Sequence, residues 1–174
     1  MKSFFGAAAF VLAAILLWTG VARADGSGDP KAVKQEDGKY YDKDGNPTYN
    51  VKPDGTVDWY TYSGFIRYHS ECHVCHGPDG LGSSYAPALA DSLKTIGYTD
   101  FLSIVANGRK NVNTANENVM PAFGTSKNVM CVIDDIYVYL RARANNAVGR
   151  GRPEKHDDKP KSAAEAQDAC FGTQ

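Results

Sequence analysis

Five consecutive residues, Cys72-His73-Val74-Cys75-His76, restrict this chain more than any other stretch. Two thiols separated by two residues, with a histidine directly after the second, form the attachment site of a c-type haem. Each thiol can form a thioether to one vinyl group of the macrocycle, and that tether places the His76 imidazole under the iron as the proximal axial ligand. A redox dithiol does not call for the trailing histidine, and a zinc site would want a second C-x-x-C pair, which is missing. The motif occurs once, so the sequence predicts a single covalently bound haem c and electron transfer as its use.

The N-terminus fits an exported protein. One positive charge at Lys2 precedes a short apolar run from Phe4 to Trp18, and Val21-Ala22-Arg23-Ala24 supplies the small-x-small cleavage pattern. Residues 1–24 are predicted to be a signal peptide cut after Ala24. About 15 apolar residues fall short of the roughly 20 that a bilayer span needs, so no stable membrane anchor is expected. Haem attachment of this kind takes place outside the cytoplasmic membrane of bacteria, which predicts the periplasm. In that oxidising compartment the two remaining cysteines, Cys131 and Cys170, read most simply as one disulfide.

Cleavage would remove Lys2 and Arg23 and no acid. The formal charge of −1 then becomes −3, with 17 basic and 20 acidic side chains. This balance argues against nucleic acid and against a basic membrane patch. The remaining 150 residues suit one modest core enlarged by a buried prosthetic group.

Residues 25–58 divide into a polar leader, Asp25 to Gly38, predicted to be disordered, and a hairpin-like extension of aromatic and β-branched runs around Asp44-Gly45 and Asp54-Gly55. Asp42-x-Asp44-x-Asn46 is a weak calcium pattern, because an EF-hand loop would want Gly where Pro47 stands and Glu where Pro53 stands. From Tyr60 to Ser70 the spacing is helical, with Gly64, Tyr68 and Cys72 on one face. Thr99 is placed to cap a helix from Asp100 to Asn107, and Arg109 to Val119 reads as a polar loop. That loop delivers Met120-Pro121. A thioether suits haem iron and raises its potential, so Met120 is the predicted sixth ligand, with Met130 or an open sixth position as the alternatives. Val132 to Leu140 supplies the apolar face of the last core helix. Residues 145–174 follow as a charged linker, with His156 exposed, and a short helix behind the Ser162-x-x-Glu165 capping box. His69 and His73 read as surface residues near the haem edge.

The segment 59–144 resembles a class I cytochrome c domain: C-x-x-C-H, Gly64 and Tyr68 ahead of it, Pro87 in the following loop, Met120-Pro121, and Ile136-x-x-Tyr139-Leu140 in the terminal helix. The resemblance implies a mainly α fold in which about four helices wrap the haem. It further implies that Gly64 receives Tyr139, and that the Pro87 carbonyl accepts a hydrogen bond from the axial histidine. The extension, the second cysteine pair and the long tail resemble the four-cysteine cytochromes of methanol metabolism, relatives of cytochrome cL. That likeness implies a non-enzymatic carrier reduced by a quinoprotein methanol or alcohol dehydrogenase, PQQ-dependent and of the lanthanide-dependent type. A second cytochrome c or a terminal oxidase would be the acceptor. The rival readings are a haem peroxidase or gas sensor with an open distal site, or a carrier for a different dehydrogenase. Trp59, Tyr60, Arg67 and Arg109 are candidate propionate contacts.

Overall fold

The computed structural model describes residues 27–113 and 116–172; the predicted signal peptide lies outside them. Among the described residues, two helices organise the rest. Helix α1, Trp59–Glu71, starts at Asp58, whose side chain accepts from the Thr61 amide at 2.9 Å and so satisfies one of the orphan donors of the first turn. Helix α6, Ile133–Ala144, has Asp134 and Asp135 in its first turn and Arg141 and Arg143 in its last, which complements its dipole at both ends.

The two helices pack in direct contact because residue 64 has no side chain. A Cβ on Gly64 would lie 1.9 Å from the Asp135 carbonyl oxygen and 2.7 Å from the Tyr139 Cβ. The close approach brings Phe65 edge-on to Tyr139 and sets Tyr68 beside the same ring, both at 5.6 Å between centroids. Each such aromatic pair contributes about 0.5–1.5 kcal/mol beyond the area it buries. Gly64 therefore receives Tyr139, as the resemblance implies.

Short elements surround this pair. Helices α2, His73–His76, and α3, Leu89–Ser92, flank a 3-10 turn at Pro78–Gly80. Helix α4, Tyr98–Asn107, starts two residues before the predicted position, with Gly97 rather than Thr99 at its N-cap. Residues 109–120, read as a loop, form an antiparallel ribbon of β4, Arg109–Asn113, and β5, Asn116–Met120, with Arg109 opposite Met120. An asparagine-rich run has no apolar alternation to betray a strand. The pairing is a backbone feature held at its base. Helix α5, Lys127–Met130, then leads into α6.

The N-terminal extension is an antiparallel sheet ordered β1 (Lys34–Glu36), β2 (Lys39–Tyr41) and β3 (Pro47–Thr48). Part of the leader expected to be disordered is thus a strand, because its amides pair with β2. The Asp42-x-Asp44-x-Asn46 run is a turn: Asp42 Oδ1 accepts from the Asp44 and Asn46 amides at 2.9 Å, while Oδ2 takes Arg141 Nη2 at 2.8 Å. Both partners of that ion pair are fully buried, and Arg141 also donates to the carbonyls of Ser27, Asp29 and Pro47. Among the described residues no group of three His, Cys, Asp or Glu side chains is arranged to hold a metal ion.

The charged tail is tied down along its length. Val57 and His156 form a parallel bridge, the His156 ring stacks on Tyr62 at 3.6 Å between centroids, and the Gly151 amide donates to Asp79. Helix α7, Lys161–Phe171, follows Pro160, and no side chain caps it: the Ser162 hydroxyl donates to the Asp37 carbonyl instead, so the predicted capping box is not made. Cys131 and Cys170 are joined by a disulfide with Cα atoms 5.7 Å apart. No helix among the described residues is long and apolar enough to cross a membrane.

Candidate haem-binding cleft

Between α3, α4, α6 and the end of the β4–β5 ribbon lies a cleft of about 560 Å³ not filled by protein atoms, part of it open to solvent. Its walls are Leu89, Leu93, Ile96, Phe101, Ile104, Val105, Phe123, Val129, Ile133, Ile136 and Leu140. Three further side chains complete the lining, Cys72, His76 and Met120, and they are the only ones in it that carry a heteroatom. The donor set is one imidazole and two sulfurs in an otherwise hydrocarbon wall. Those residues fit a flat, largely apolar macrocycle whose metal takes a nitrogen and a thioether ligand.

Helix α1 ends where the motif begins. The Cys72 amide still donates to the Tyr68 carbonyl at 2.9 Å, and the Cys75 and His76 amides turn back to the Cys72 carbonyl. This one-turn bend leaves Cys72 half-buried at the cleft, Cys75 exposed beside it, and His76 buried. Both thiols are free. Burial, with Glu71 and Cys75 adding to it, pushes the Cys72 thiol up to about 12.

His76 Nδ1 lies 3.0 Å from the Pro87 carbonyl oxygen. A carbonyl can only accept, so Nδ1 carries the proton and Nε2 keeps its lone pair for a metal. Pro87 lies far enough along the loop for its carbonyl to come back over the ring. Met120 ends β5 and is half-buried, whereas Met130 sits in α5, packed against the core and outside the cleft lining. Cys131 and Cys170 also lie outside the lining and tie α7 to the α5–α6 junction.

Two supports have no counterpart in the sequence reading. The Tyr68 hydroxyl donates to the Gly77 carbonyl at 2.6 Å, fixing the backbone directly after His76, and burial raises its phenol above the ordinary range so that it stays a donor. The Ser83 hydroxyl donates to the Cys75 carbonyl. A tyrosine four residues before the motif reads as a packing group, and nothing in spacing marks its hydroxyl. The candidate propionate contacts are placed elsewhere: none of Trp59, Tyr60, Arg67 and Arg109 lines the cleft. Trp59 packs against Tyr62 and His156, Tyr60 reaches the Asp37 carbonyl, and Arg67 lies over the Phe171 ring, so these three serve the extension and the tail. Arg109 is exposed at the start of β4. His73 is exposed, whereas His69 is half-buried with Nδ1 2.8 Å from the Phe65 carbonyl.

No protein-family model matches the chain. It is 56% identical over 136 residues to cytochrome c-553I of Paracoccus denitrificans, a match covering 78% of this chain and 60% of that protein. Cytochrome c-555 of Methylococcus capsulatus is 39% identical over 100 residues, 57% of this chain and 75% of the relative. Among solved structures, the crystal structure of the c-type cytochrome XoxG from Methylobacterium extorquens AM1 superposes with a TM-score of 0.75 at 58% identity, covering 81% of this chain and 86% of that one.

Proposed function

The chain belongs to the class I c-type cytochromes, electron carriers with one covalently bound haem c, and from that premise we propose that it takes electrons from a quinoprotein dehydrogenase in the periplasm. The donor is a PQQ-dependent methanol or alcohol dehydrogenase of the lanthanide-dependent type, and the acceptor is a second cytochrome or a terminal oxidase. The observation that carries the carrier's chemistry is the lining of the cleft: one imidazole and two sulfurs within a hydrocarbon wall. Support for the donor is the length of the similarity. The match to the Paracoccus protein, 136 residues, is longer than the whole segment 59–144, so it extends into the regions that set this chain apart from small class I cytochromes.

In this reading Cys72 and Cys75 would tether the haem through thioethers, His76 and Met120 would hold its iron, and the Pro87 carbonyl orients the imidazole. Bound there, the haem supplies a one-electron iron couple. The hydrocarbon wall keeps water from the metal, the thioether favours the reduced state, and the Pro87 carbonyl holds the His76 proton on Nδ1. Held by both His76 and Met120, the iron would have no site left for a small molecule.

Met120→Ala tests the ligand set. It is expected to lower the reduction potential, to abolish the weak long-wavelength sulfur-to-iron band of the ferric protein, and to let carbon monoxide bind the reduced protein without denaturation. A band that persists would rule Met120 out in favour of Met130, whereas carbon monoxide binding by the unaltered protein would favour the open-site reading. Stopped-flow mixing with purified PQQ methanol dehydrogenase tests the donor: rapid reduction is expected, and reduction no faster than by an unrelated dehydrogenase would dismiss it.

A further inference from the structure

Met120 is not presented by a free loop. The chain immediately after it is hydrogen-bonded to the last turn of α4: the Phe123 amide donates to the Val105 carbonyl at 3.0 Å, and the Gly124 amide to the Ala106 carbonyl at 2.9 Å. Those carbonyls are among the acceptors that a helix leaves unpaired at its C-terminus, and here the segment that follows Met120 takes them. The same helix contributes Phe101, Ile104 and Val105 to the cleft. Ahead of Met120, the ribbon pairs it with Arg109.

Between the helix end and the ribbon stands a single residue, Gly108. Its backbone, φ 73° and ψ 177°, lies in a region open essentially to glycine alone. A Cβ built there would lie 2.6 Å from the Met120 carbonyl oxygen, 2.9 Å from the Ala122 nitrogen and 3.0 Å from the Pro121 carbonyl carbon. All three are backbone atoms, which cannot rotate aside as a flexible side chain would. We infer that Gly108 is a positioning residue for the Met120 thioether: its missing side chain lets the ligand-bearing backbone lie directly against the end of α4. A substitution there displaces Met120 from the cleft without altering any ligand side chain.

The inference rests on Met120 as the sixth ligand, and the experiment separates the two. Gly108→Ala, Gly45→Ala and Met120→Ala are made in the haem-loaded protein. Gly45 has a φ of +79° and nothing within 4 Å of its Cβ position, so it shares the positive φ without the collision. Gly108→Ala is expected to lose the sulfur-to-iron band, to fall in potential in the direction of Met120→Ala, and to bind carbon monoxide when reduced. Gly45→Ala is expected to do none of these. A folded Gly108→Ala protein that keeps the band and excludes carbon monoxide overturns the inference, and so does loss of the band in Gly45→Ala. If Gly108→Ala does not fold, Gly124→Ala takes its place, since its Cβ would lie 2.9 Å from the Ala106 carbonyl oxygen. Carbon monoxide binding by that variant supports the inference, and an intact band with no binding refutes it. Should Met120→Ala itself keep the band, the ligand reading fails and this inference with it. If only Gly108→Ala keeps it, the ligand reading stands alone.

Discussion

Asp135 carries a carboxyl group into the contact between α1 and α6, where the Ser63 hydroxyl, 2.7 Å away, donates to it. Burial raises its pKa to about 6, against the partial opposition of Ser63 and Lys39, while Asp134 adds to the rise and Arg67 opposes it. The folded chain therefore holds this proton more tightly than the unfolded chain, whose carboxyl titrates near its usual 3.8. Stability from this group is greatest below that value and falls as pH rises through the window up to about 6. Asparagine does not titrate. The stability of Asp135→Asn relative to the wild type should rise across that window by on the order of 2–3 kcal/mol and level off above it. Urea denaturation at several pH values reads this directly, and a flat difference would refute it. At this scale the sequence was most legible where chemistry needs a residue type, as at Cys72, His76 and Gly64. It was least legible where a side chain's value lies in one hydroxyl, as at Tyr68, or in the absence of a Cβ against distant backbone, as at Gly108.

Among the elements, α7 is held differently from the rest. It buries Ala163, its Phe171 carbonyl accepts from Lys127, and its Phe171 ring lies under Arg67, but its covalent tie is the Cys131–Cys170 disulfide across 39 residues. In the chain-entropy model a loop of that length stabilises by about 4 kcal/mol. Replacing both cysteines by serine should lower global stability by up to about that amount and raise hydrogen exchange in residues 161–171. The haem spectrum should stay unchanged, because neither cysteine lines the cleft. A changed spectrum would mean that α7 braces the cleft through the α5–α6 junction. Helices α1 and α6 were readable from their apolar periodicity, whereas the ribbon and the β1 strand were not, since both are held by backbone pairing of polar residues. The tail's attachment to Val57 and Asp79 is equally silent in composition.

At the scale of the whole molecule, the large apolar side chains left exposed among the described residues are unevenly distributed. Val74, Leu81, Tyr85 and Val119 are all on the segments that carry the haem motif, Pro87 and Met120, and Val33 belongs to the N-terminal sheet region. Exposed apolar groups on the cleft-bearing segments are where a docking partner would be sought, and a redox encounter needs less than about 1,200 Å². Tyr85 is 76% exposed, so placing a charge there disturbs no core packing. Tyr85→Glu should slow second-order electron exchange with the proposed donor dehydrogenase severalfold at unchanged potential, while Val33→Glu should not; equal rates in stopped-flow measurements would move the docking face elsewhere. The overall architecture was legible because ligands, helix glycine and terminal helix occur in one order, but the seat of the extension was not. That seat is Arg141, whose partners Ser27 and Asp29 precede it by 114 and 112 positions. The extension can pair with itself over residues 34–48, but the stretch at Ser27 and Asp29 gains its anchor only once α6 is in place.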